Sequence, residues 1–110
     1  MKTITLHFLH PHVMEIHRDP IDVTVDNDAD VIQAIAAGDR FLTQKHKGKF
    51  PLEGISSFLQ LVWDPNEWTF FEDVGIEARD AEKAFIPLRD DPTVVLPPGS
   101  DVKINPDAGC

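Results

Sequence analysis

Four histidines, His7, His10, His12 and His17, fall within eleven residues, and neutral imidazole is the commonest protein ligand for zinc. On an extended chain His10 and His12 share one face while His7 points to the other, and Pro11 interrupts the backbone between them. The expected reading is surface and turn histidines with no metal site; the competing one is a set of His10 and His12 with Cys110, which a last strand parallel to the first would bring to the same end. Asp26, Asp28 and Asp30 open like a calcium loop. The sixth position, which needs glycine, is Val31, and the twelfth, which needs glutamate, is Ala37, so that motif fails. Helix capping accounts for these carboxylates. Glu67, Glu72, Asp73 and Glu77 read as a solvated charged face. Ser56, Ser57 and Ser100 have no base placed beside them by any motif, and there is neither a glycine-rich phosphate loop nor a Gly-x-Ser-x-Gly elbow. The expectation is a protein that is not an enzyme and carries no cofactor.

Two other groups suit contact with a partner. Trp63, Trp68, Phe70 and Phe71 crowd a short stretch. Alternation cannot bury all four on one face, and exposed tryptophan is enriched at protein interfaces. Arg40, Lys45, Lys47 and Lys49 place four cations within ten positions of an otherwise acidic chain. The same cations also suit the last turn of a helix, where the macrodipole is negative.

The elements that must position these residues follow from periodicity. Residues 3–9 alternate, with Ile4, Leu6 and Phe8 on one face, and predict a strand; Asp22-Val23-Thr24-Val25 predicts a second, with a start as early as Val13 to Ile16 left open. A helix is expected from Asp28 or Ala29, with a kink or break at Gly38 and a stop by Gly48. Phe58–Trp63 and Trp68–Phe71, separated by Asp64-Pro65-Asn66-Glu67, predict a hairpin. Residues 73–91 predict a loop with a helical turn near Asp80 to Ala84. Thr93–Leu96 predicts weak pairing, Pro97-Pro98-Gly99-Ser100 a tight turn, and Asp101–Asn105 a last strand with Val102 and Ile104 inward.

The chain has 110 residues, 42% of them hydrophobic, and a formal net charge of −9. That length suits one domain, residues 1–110, with one core. The acidic balance argues against nonspecific nucleic-acid binding, which depends on cations neutralising phosphates. No apolar run approaches the roughly 20 residues of a membrane span. The lone cysteine, Cys110, makes no internal disulfide or cysteine zinc cluster. Strand, strand, helix, strands and final strand form an α+β domain, with one main helix across a mixed sheet. This is the ubiquitin-like β-grasp order.

Two stretches carry a family resemblance. Leu96-Pro97-Pro98-Gly99-Ser100 leading through Asp101–Asn105 to Pro106-Asp107-Ala108-Gly109 resembles the closing signature of small β-grasp proteins, including molybdopterin-synthase small subunits and the thiamine sulfur carrier. Ile21–Val25, the segment Ala29 to Ala36 and the segment Arg40 to Gly48 look more like the lambda-like phage tail assembly protein I family. That resemblance implies protein contacts at the tail tip during assembly, beside a tail peptidase-like assembly protein K and the central tip protein. The implied location is the host cytoplasm during assembly, and then the virion tail. The expected contact residues are Trp63, Trp68, Arg40, Lys45, Lys47, Lys49, Pro106, Gly109 and Cys110. The alternative is a sulfur carrier or ubiquitin-like modifier activated at Gly109 after removal of Cys110, with Ala108 in place of the penultimate glycine. A small acidic inhibitor or immunity-like binder is a third class, suggested by charge alone.

Overall fold

The computed structural model describes residues 1–47, 57–71, 74–88 and 91–105, apart from the side chains of Pro11 and His12. Strand β1 (Lys2–Phe8) buries Ile4, Leu6 and Phe8, as its alternation predicts. It pairs antiparallel with β2 (Ile21–Val25), from Lys2↔Val25 to Leu6↔Ile21. The connection holds a single helical turn, α1 (Pro11–Met14), instead of an early start to β2. Proline suits the first helical position, and the turn carries Val13 fully out of solvent.

Helix α2 (Val31–Lys45) begins after Asp30, two to three residues later than the acidic run suggests. Asp30 is the residue whose carboxylate accepts from Gln33 N at 2.9 Å, while the Gln33 side chain accepts from Asp30 N at 2.9 Å. This reciprocal box satisfies two donors that the first turn leaves open. The helix continues through Gly38 to Lys45 without a break. A Cβ at that position would lie 2.4 Å from Leu6 Cδ1 and 2.8 Å from Phe8 Cζ. Glycine is thus the contact at which the helix settles onto β1, and its helix-propensity cost is offset by that close approach.

Phe58–Val62 differs from the predicted strand. Leu59–Val62 form one helical turn, α3, followed by a two-residue hairpin of β3 (Trp63–Asp64) and β4 (Thr69–Phe70). Helical spacing puts Phe58 and Val62 on the same side, and both are fully buried, whereas a strand would bury Phe58 together with Gln60.

The predicted loop over 73–91 contains two strands, β5 (Gly75–Arg79) and β6 (Phe85–Ile86). The tight connection between them is held by Asp80, whose carboxylate accepts from Glu82 N and Ala84 N at 3.0 and 2.9 Å, with Lys83 in the left-handed region at φ 68. Strand β7 (Asp101–Asn105) pairs antiparallel with β5 and parallel with β1, from Thr5↔Asp101 to Phe8↔Ile104. It is launched by the predicted tight turn, in which Gly99 adopts φ 78 and donates its N–H to Thr3 O at 3.0 Å. Thr93–Leu96 contributes one isolated bridge, Asp30↔Val95.

The result is a mixed five-stranded sheet ordered β2-β1-β7-β5-β6, with α2 as the main helix packed on it, an α+β arrangement. Ile4, Leu6, Phe8, Ile35, Leu42 and Ile104 belong to the core between them. Among the described residues no helix is long and apolar enough to cross a membrane.

Candidate protein-contact surface

The β3/β4 hairpin owes its shape to Asp64. Its carboxylate accepts from Asn66 N at 2.9 Å and from Glu67 N at 3.3 Å, which folds the Pro65-Asn66-Glu67 loop back on itself. Trp68 then closes the loop at φ 56, a left-handed conformation that costs a bulky residue roughly 1–2 kcal/mol. The strained backbone presents the Trp68 indole outward, 59% exposed. It stands edge-on against the buried Trp63 at 5.1 Å between ring centroids, and Phe70 meets Trp63 at 5.0 Å. Trp63 and Trp68 thus divide the work: Trp63 is the buried support and Trp68 the exposed face. Phe71 adds a second partly exposed ring beyond β4.

The basic segment lies on another part of the surface. Arg40 is exposed on α2 and lines a groove of about 380 Å³ together with Thr24, Asp26 and Gln33. Lys45 is in the last turn of α2, where the dipole favours a cation, and its ammonium lies 5.5 Å from the Phe41 ring centroid. Lys47 is exposed just beyond the helix. Lys49, Pro106, Gly109 and Cys110 lie outside the described residues, as do Glu72 and Asp73.

The histidines separate. His7 Nε2 pairs with the Asp101 carboxylate at 2.9 Å across the parallel β1/β7 register. His10 is half-buried at the end of β1, and its expected partner His12 has no described side chain. No group of three or more His, Cys, Asp or Glu suited to a metal occurs among the described residues. The contact that sequence spacing did not offer is His17 Nδ1 to His46 Nε2 at 3.1 Å, because 29 residues separate the two. Only the return of α2 over the α1 connection brings them together.

One buried carboxylate answers to structure instead of function. Asp39 faces inward from α2, and its Oδ1 accepts from Leu59 N at 3.0 Å, so it supplies the cap that Phe58 cannot give to α3. Burial raises its pKa above the ordinary aspartate value, opposed by the Leu59 and Phe58 backbone N–H groups and by Arg40. Between the ordinary value and the raised one the folded chain holds more protons than the unfolded chain, so this group's contribution to stability falls as pH rises through that window. Asp39→Asn keeps an acceptor and loses the buried charge. Its stability relative to the wild type is expected to improve between pH 4 and pH 7 in urea titrations. Asp39→Ala loses the acceptor and is expected to cost about 1–2 kcal/mol at pH 4 and less at pH 7.

No family model, curated protein or solved structure matches this chain.

Proposed function

We propose that this chain is a ubiquitin-like β-grasp domain that works by protein contact, as a phage tail assembly protein acting at the tail tip. The β-grasp reading is supported by the sheet order β2-β1-β7-β5-β6, in which the last strand enters the centre parallel to the first and the helix follows the opening hairpin. The tail-tip reading rests on the resemblance of residues 21–48 to the lambda-like protein I family. The single observation that carries a contact role is Trp68. An aromatic side chain held outward on a strained backbone contributes little to folding, and such strain concentrates at functional positions.

The test has two parts. The chain, co-expressed with the assembly protein K-like peptidase and the central tip protein, is expected to co-elute with at least one of them at defined stoichiometry. Trp68→Gly is expected to weaken that complex at least tenfold. Its own melting temperature should stay within a few degrees, because relief of about 1–2 kcal/mol of left-handed strain offsets a lost aromatic pair of about 0.5–1.5 kcal/mol. Failure to co-elute with either protein overturns the tail-tip reading. Intact mass of the chain recovered from its native source addresses the alternative: a form ending at Gly109 with sulfur in place of a carboxyl oxygen would replace the contact role with that of a sulfur carrier.

A further inference from the structure

His17 and His46 are held in register by separate parts of the fold. His17 follows α1, and its N–H donates to Val13 O at 2.8 Å, the carbonyl of a fully buried residue. His46 caps the C-terminus of α2, and its N–H donates to Leu42 O at 2.9 Å, again on a fully buried residue. Phe41 meets the His17 ring edge-on at 6.1 Å. Both imidazoles are half-buried, so their backbones are anchored in the core while the rings remain open to water.

The ring geometry matches what two ligands of one metal ion need. A tetrahedral ion about 2.0–2.1 Å from each nitrogen sets the nitrogens about 3.3 Å apart and the ring centroids about 5.2 Å apart. The observed separations are 3.1 Å between Nδ1 of His17 and Nε2 of His46, and 5.2 Å between centroids, with the rings inclined at 66°. A cation entering between them takes the place of one hydrogen bond. When both rings are neutral and His17 Nδ1 carries the bridging proton, its transfer through solvent to His17 Nε2 leaves both facing lone pairs as ligands, with no net proton release. Among the described residues no third protein ligand stands beside the pair. The chain's net charge of −9 raises the local concentration of cations.

We propose that His17 and His46 form a two-imidazole binding site for a borderline divalent transition-metal ion, of which zinc is the probe of choice. Imidazole donors with open water positions suit zinc, nickel and copper and discriminate against magnesium and calcium, which prefer oxygen ligands. This assignment is independent of the tail-tip reading.

Calorimetric titration of the full chain with zinc chloride is expected to give one site per chain. His17→Gln and His46→Gln are each expected to weaken binding at least tenfold, while a His10→Gln/His12→Gln double variant binds as the wild type does. Binding that survives both single variants, that disappears in the double variant, or that is absent at millimolar zinc overturns the proposal. A readout on the unmutated chain guards against misfolded variants. In long-range proton–nitrogen spectra, His17 Nδ1 and His46 Nε2 are expected to shift together on zinc addition, and movement confined to other imidazoles overturns it equally.

Discussion

Phe58→Ala is expected to lower the unfolding free energy by about 3–5 kcal/mol, measured as a shift of the urea midpoint at unchanged slope. Phe58 is fully buried, and its ring lies 4.2 Å from the ring of Phe8 at an interplanar angle of 34°. Phe8 is also the residue against which Gly38 brings α2 into close approach. Truncation therefore opens a void where helix α2, strand β1 and the α3 turn meet, and the backbones there cannot simply collapse into it. Domains of this size are stable by about 5–15 kcal/mol, so the variant should sit close to its unfolding threshold. A loss below about 1 kcal/mol would show that the 57–62 segment is not packed on the sheet as described.

The second large effect is expected at Lys2→Met. Lys2 is 3% exposed, at the edge of the core. Its ammonium donates to Asn27 O and Ala29 O, both at 2.8 Å, and to Leu96 O. One cation thus gathers the acidic loop before α2 and the segment before β7 at the start of β1. Hydrogen bonds to a charged group are worth about 1.5–3 kcal/mol, and methionine retains the stem while leaving buried carbonyls without their donor. The expected cost is about 2–4 kcal/mol, a fall in melting temperature of roughly 10 °C or more. A variant that melts with the wild type would mean that water replaces the ammonium at no cost.

The elements with strong periodicity were legible from sequence. Ile4, Leu6 and Phe8, the Gly99 turn, and Val102 with Ile104 fall where alternation and turn chemistry put them. The β5/β6 pair was not legible. Ala78 is the only fully buried side chain of Gly75–Arg79, and the strand exists because β7 offers it an edge, a long-range cause that local pattern does not carry. Phe58–Val62 failed for a related reason, since a short apolar run reads equally as strand or helix until its packing partner is known. Of the contact surface, the aromatic hairpin was legible as a composition, but the roles of Trp63 and Trp68 depend on the Asp64 loop. His46 was out of reach entirely, because nothing in its neighbourhood refers to His17.

The parallel pairing of β1 and β7 governs the order in which this protein can be born. Strand β1 needs a neighbour that the ribosome delivers long after it, as the 94-residue separation between Lys2 and Leu96 illustrates. Until then β1 and β2 form at most a two-stranded ribbon, which is marginal alone in water. Contacts of such sequence separation slow folding, because loop-closure entropy must be met before they form. The nascent chain therefore passes through an interval with an apolar strand edge uncovered, and a net charge of −9 opposes the pairing of one such edge with another.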